Sequence, residues 1–175
     1  MKVFNICLTG ISGSGKSTLA NALKNELYQK GIKVQIVDGD DTRKEIGHLF
    51  GHTKQDRMKM NAINRLLVKY LNQNGISTIL SIVAPFEEMR CLMRETFGDS
   101  YIEIYVKCSK EVCAQRDVKG YYKLEKEGEL LNLNGVNDVY EIPQRPELIL
   151  ETDKDTLDVC VTKIMDYLAG NGYAV

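Results

Sequence analysis

The run "GISGSGKS" at residues 10–17 constrains the fold of this chain more than any other stretch. It fits the pattern G-x-x-x-x-G-K-[ST], with Gly10, Gly15, Lys16 and Ser17 at its set positions. Glycines let successive backbone N–H groups converge on phosphate oxygens, and the positive end of a following helix adds to the attraction. The lysine reaches the β- and γ-phosphates, and the hydroxyl after it ligates Mg²⁺. Such a loop requires a buried strand before it and a helix after it. "VFNICLT" supplies a short apolar run on the near side. "KSTLANALKNELYQK" on the far side spaces Leu19, Leu23 and Leu27 as one helical face, with Gly31 as a stop. A loose Gly/Ser turn would not need both flanks, so ATP or GTP binding follows.

The remaining pattern alternates strands and helices. "KVQIVDG" is a second strand, "DRMKMNAINRLLVKYLNQNG" a long helix and "STILSIVAP" a third strand stopped by Pro85. "YIEIYVKC" is a fourth strand, "SKEVCAQR" a short helix, "PELILET" a fifth strand and "DTLDVCVTKIMDYLAG" a closing helix. The alternation predicts an α/β fold of the P-loop nucleotide-kinase kind, a parallel five-stranded sheet with helices on both faces. The 175 residues suit one domain over 1–175. The polar, glycine-bearing stretch at about 117–145 is the expected lid.

Several classes fall away. No N-K-x-D run is present to read guanine, and the third strand ends in "IVAP" without the acidic residue of a motor ATPase. The carboxylates sit instead at the end of the second strand, in "VDGDDTR". Ligands of parallel sheets gather at the carboxyl ends of strands, so Asp38 and Asp40 are expected at the phosphate site. One would hold a Mg²⁺-bound water and one would take a proton from an attacking hydroxyl. Gly39 reads as the sharp turn between them, and Asp41 as a solvated turn residue or the N-cap of a following helix. A net charge of −1 gives no broad basic field for nucleic acid or an anionic membrane. No apolar run approaches a membrane span or a signal peptide. Five cysteines without a CxxC pair read as buried free thiols, which fits a cytoplasmic protein.

At this point the chain resembles the adenylylsulfate (APS) kinases over nearly its whole length. The resemblance rests on "GISGSGKST", "VDGDDTR", "QDR" at Gln55 to Arg57, "CAQRDVKGYYK" and "GVNDVYEIPQRPEL". It implies Mg-ATP-dependent transfer of a phosphoryl group to the ribose 3′-hydroxyl of adenylylsulfate, a small nucleotide acceptor. The sequence does not fix the oligomeric state, and a homodimer is one assembly open to the chain. The resemblance implies that Gly10, Ser12, Gly13, Ser14, Gly15, Lys16, Ser17, Thr18 and Arg116 bind ATP. Asp40 then resembles the base or acceptor-orienting carboxylate, while Asp38 with Ser17 serves the metal. Arg43 and Arg57 resemble ligands of the acceptor's phosphate and sulfate end, and Lys119 a lid residue that reaches the acceptor or the phosphates. Tyr121 and Tyr122 read as lid packing.

The departures from the family pattern fall in the acceptor pocket. His52 stands where the family carries the aromatic residue of its Gly-Phe-Ser run, and Leu133 where it carries a lid phenylalanine. Met60 replaces an asparagine, and "IVAP" replaces Phe-Ile-Ser-Pro, which puts Val83 in the pocket and removes a serine. Stacking contributes on the order of 1–3 kcal/mol per base. Adenylylsulfate is therefore expected to bind less tightly here than to relatives with both rings. A same-fold kinase of another nucleotide 3′-hydroxyl, for example a cytidine diphosphate-linked phosphoramidate, and a non-catalytic nucleotide-binding regulator are the alternatives.

Overall fold

The computed structural model describes residues 2–129, 133 and 135–173. Five strands form the sheet: β1 (Asn5–Thr9), β2 (Val34–Asp38), β3 (Ser77–Ser81), β4 (Tyr101–Lys107) and β5 (Leu148–Glu151). They lie in the order β2-β3-β1-β4-β5, and every pairing is parallel. Central strands β1 and β3 are buried at every position, as strands covered on both faces must be.

Helices α1 (Lys16–Gln29) and α7 (Leu157–Gly170) cover one face. Leu19, Leu23 and Leu27 of α1 meet Ile164 and Leu168 of α7 over Ile6, Leu8 and Ile104. Helices α3 (Lys54–Gln73) and α4 (Glu87–Phe97) cover the other face, through Val68 and Met93 against Cys7, Val37 and Leu80. Asn5, buried in the centre of the sheet, uses both ends of its amide. Asn5 donates to Asn72 Oδ1 and Ser100 Oγ at 3.0 Å each, and its Oδ1 accepts from Thr78 at 2.7 Å and Asn72 at 3.0 Å.

Three helices were not assigned from the sequence pattern: α2 (Gly39–Ile46), α4 and α6 (Tyr121–Lys126). Helix α2 follows β2 with no intervening turn. Asp38 is its N-cap, with Oδ1 accepting from the Asp40 N–H at 2.8 Å. Asp41 is therefore neither a turn residue nor the cap; it lies inside α2 and pairs with Lys44. Gly39 has no positive φ. It is small because a Cβ there would stand 3.0 Å from Ile82 Cγ2. Helix α4 supplies the crossover that a parallel β3–β4 connection needs, and its Met89 and Met93 point inward.

The expected lid divides into two parts. Helix α5 (Lys110–Arg116) leads into α6, and Tyr122 packs with Ile11, Cys113 and Leu133 in a small cluster over the phosphate loop. Residues 140 and 141, by contrast, are tied to the body. Tyr140 Oη lies 3.0 Å from Thr9 Oγ1, and the Glu141 N–H donates to the Pro85 carbonyl at 2.8 Å. The buried Arg90 donates to both the Ala84 and Glu141 carbonyls. Positions 130–132 and 134 of the expected lid lie outside the described residues.

Candidate active site

The loop between β1 and α1 sits at the carboxyl edge of the sheet and is held by close backbone packing. A Cβ on Gly10 would stand 2.4 Å from the Val106 carbonyl oxygen, and one on Gly13 would stand 2.9 Å from that of Cys113. The loop therefore passes where only glycine fits. Ser14 is buried, and its carbonyl accepts from Thr152 Oγ1 at 2.7 Å. The Ser12 carbonyl accepts from Tyr122 Oη at 2.8 Å, which ties the loop to α6.

Lys16 is buried, and its ammonium donates to the Gly10 and Ile11 carbonyls at 2.8 and 2.9 Å. Burial pulls its pKa down to about 8, with Lys119 adding repulsion and Asp40 and Asp38 opposing. Ser17 Oγ donates to Asp38 Oδ2 at 2.9 Å and lies 3.3 Å from Ser81 Oγ. Asp38 thus uses one oxygen to cap α2 and the other to meet the loop serine.

Two cavities adjoin at this loop. The first, about 450 Å³, is lined by Ser12, Gly13, Gly15, Lys16, Ser17, Thr18 and Arg116, together with Thr152, Asp155 and Leu157. Arg116 donates to the Thr152 carbonyl at 2.6 Å, which lays its guanidinium beside the loop. The second, about 370 Å³, is lined by Asp40, Arg43, His52, Arg57, Met60, Val83, Lys119 and Leu133. Every acceptor-side residue expected from the sequence therefore meets in one cavity. Ser12, Lys16, Ser17 and Lys119 border both spaces. Lys119 forms an ion pair with Asp40 at this junction, and its ammonium lies 5.8 Å from the Tyr121 ring centre.

Two guanidinium groups, Arg43 and Arg57, line the second cavity. Arg43 donates to the Gly51 carbonyl at 3.3 Å. Arg57 donates from Nε to the His52 carbonyl at 3.0 Å and pairs with Asp138 at 3.2 Å. Burial lowers the His52 pKa, and Arg43 and Arg57 lower it further, which favours the neutral ring. His52 itself is exposed, whereas Leu133 and Met60 are buried walls. Several lining residues were not singled out as site residues from the sequence: Asn61, Asn64 and Tyr121 in the second cavity, Thr152 and Asp155 in the first. The two asparagines were legible in principle, because Arg57, Met60, Asn61 and Asn64 share one face of α3 at helical spacing.

The sequence model of the adenylylsulphate kinase family matches residues 2–151. The chain belongs to that family. An adenylyl-sulfate kinase of Halothermothrix orenii is 41% identical over 172 residues, which span 98% of this chain and 92% of that one. The solved APS kinase of Mycobacterium tuberculosis, in complex with AMPPNP and APS, superposes with a TM-score of 0.90 at 27% identity, covering 96% of this chain and 98% of that chain. A hexameric APS kinase from Thiobacillus denitrificans superposes with a TM-score of 0.73 at 26% identity, covering 98% of this chain and 30% of that chain. Membership accounts for the joined pair of cavities, since a kinase of this family needs one space for ATP and one for a nucleotide acceptor.

The buried cysteines of this chain are packing residues. All five are free, and all but Cys91 are buried. Burial pushes the Cys7 and Cys113 thiols up to about 12, so neither is a nucleophile at neutral pH. Among the described residues, no helix is long and apolar enough to cross a membrane.

Proposed function

We propose that the protein transfers the γ-phosphoryl group of ATP to the ribose 3′-hydroxyl of adenylylsulfate, giving ADP and 3′-phosphoadenylylsulfate. The observation that carries this is the junction of the two cavities, where Asp40, Lys119, Lys16 and Ser17 meet. ATP lies in the first cavity with its phosphates on the N–H groups of the loop and on Lys16. Arg116 flanks the nucleotide. The acceptor lies in the second cavity, with its phosphosulfate end on Arg43 and Arg57, which suit planar, bidentate binding of such groups.

Asp40 takes the proton of the 3′-hydroxyl as the oxygen attacks the γ-phosphorus and the bond to the β-phosphate oxygen breaks. In the structure Asp40 is paired with Lys119. Arrival of the γ-phosphate gives Lys119 a second anion to bind and frees the carboxylate to face the hydroxyl. Helix α6, held over the phosphate loop by Tyr122, excludes water, so that the acceptor is phosphorylated and ATP is not hydrolysed. Ser17 and Asp38 fit a magnesium ion, because both offer hard oxygen donors beside the phosphate loop. When bound, that ion neutralises phosphate charge.

The assembly we propose is a homodimer, the simplest closed form. Exposed Leu66, Leu67 and Tyr70 on α3 support self-association. Light scattering on the purified protein distinguishes the dimer from a monomer or a hexamer. A cytoplasmic location agrees with the five free thiols. The function is tested by incubating the protein with Mg-ATP and adenylylsulfate and resolving the products by ion exchange. Stoichiometric ADP and 3′-phosphoadenylylsulfate are expected; ADP without a phosphorylated acceptor would refute the proposal.

A further inference from the structure

Asn61 and Asn64 line the second cavity, and three of their buried polar atoms have no hydrogen-bond partner among the described residues. They are Nδ2 and Oδ1 of Asn61 and Oδ1 of Asn64. The two residues are 3% and 5% exposed. Asn5, the other buried amide among the described residues, is satisfied at both ends. Leaving an amide end buried and unpaired is unfavourable, and replacing it with an apolar group is often neutral or stabilising. Two such residues side by side are therefore poor choices for packing alone. They continue the α3 face that begins with Arg57 and Met60 and runs on to the fully buried Val68, so leucine or valine would fit the pattern at both positions.

The three buried atoms are two acceptors and one donor. A purine edge with an amino group beside a ring nitrogen offers the complement, two N–H donors and one acceptor. An asparagine amide can bond such an edge in a bidentate manner. Building on the proposed function, we infer that Asn61 and Asn64 read the base of the acceptor. The 6-amino group of adenine donates to Asn61 Oδ1 and Asn64 Oδ1, and a ring nitrogen beside it accepts from Asn61 Nδ2. The edge of the base thereby gains contacts on the α3 wall, where His52 and Leu133 offer less ring surface to its faces.

The test compares adenylylsulfate with inosine 5′-phosphosulfate, which carries a carbonyl oxygen in place of the 6-amino group. The assay is initial-rate phosphoryl transfer with saturating Mg-ATP. Wild type is expected to favour adenylylsulfate in kcat/KM by roughly 5- to 150-fold, the range of one bidentate base contact. Asn61→Leu and Asn64→Leu should each shrink that preference, by raising KM for adenylylsulfate with kcat unchanged, since base contacts act on ground and transition states alike. Asn61→Asp keeps the acceptor and removes the donor, so it should lose part of the preference. Wild-type protein alone keeps the inference falsifiable if a variant fails to fold. Equal use of the two nucleotides by wild type, or an undiminished preference in both leucine variants, would overturn the role of the asparagines and leave the proposed function standing. No turnover of either nucleotide by wild type would overturn the proposed function itself.

Discussion

Binding of ATP should draw a proton onto Lys16. Burial and the neighbouring Lys119 hold this lysine at about 8 in the free protein, well under its usual 10.5. The triphosphate brings several negative charges to the ammonium, which favours the charged form and returns the pKa towards or above the ordinary value. The sign follows directly. Below pH 8 the lysine is charged with or without ligand, so affinity is flat. Above pH 8 the free protein has lost the proton and the complex retains it, so affinity falls by about tenfold per pH unit. Over the interval between the two pKa values, roughly 2.5 units, the full linkage is on the order of 3 kcal/mol. Phosphate oxygens, with a second pKa of about 6, are already ionised in this window and do not obscure the effect. Calorimetry with a non-hydrolysable ATP analogue, in buffers of different ionisation enthalpy, reads the proton count directly. Close to zero protons should be taken up at pH 7 and close to one at pH 9. Uptake of no proton at pH 9, with an affinity unchanged between pH 7.5 and 9.5, would refute the linkage and the placement of Lys16 on the phosphates.

Asp40→Asn should lower kcat by roughly 10²- to 10⁴-fold, the range for losing a positioned base, with ATP affinity little changed; stopped-flow transfer and equilibrium titration separate the two. Lys16→Ala should abolish transfer, and near-normal turnover in a folded variant would refute the loop's role. Gly10→Ala brings a methyl group to 2.4 Å from the Val106 carbonyl, so the loop must shift; both Tm and ATP affinity should fall, and a variant unchanged in both would contradict the packing described. His52→Phe with Leu133→Phe should lower KM for adenylylsulfate without changing kcat, because the rings add face contacts on both sides of the base; an unchanged KM in steady-state assays would mean that the base is held elsewhere.

Legibility in the sequence followed the length scale of each signal. The phosphate loop is a contiguous pattern whose chemistry and backbone demands coincide, so its residues and both flanking elements were readable at once. The five strands announced themselves as apolar runs, and parallel pairing followed from their alternation with helices. Helix α2 was not legible as a helix because "DGDD" mimics a turn. The deciding fact is that Asp38 caps the helix, and a cap shows only when the next N–H groups are placed. Helix α4 carries Met89 and Met93 at helical spacing, but its dense charge hides the stripe from a search for apolar runs. The acceptor residues were recoverable one by one only through family resemblance, because α2, α3, the end of β3 and the lid bring them together from distant positions. Asn61 and Asn64 share the α3 face of Arg57 and Met60, which the spacing shows, but not their role. Their meaning depends on finding no partner in three dimensions, which a sequence does not record.

The most direct test of the account is the acceptor-dependent transfer catalysed by wild type and by Asp40→Asn under the same conditions, read as 3′-phosphoadenylylsulfate formed from radiolabelled γ-phosphate. Label should move to the 3′-oxygen of adenylylsulfate with wild type, and at least 10²-fold more slowly with the variant. Label released as inorganic phosphate, or transferred equally fast by both proteins, would contradict a kinase whose cavities meet at Asp40.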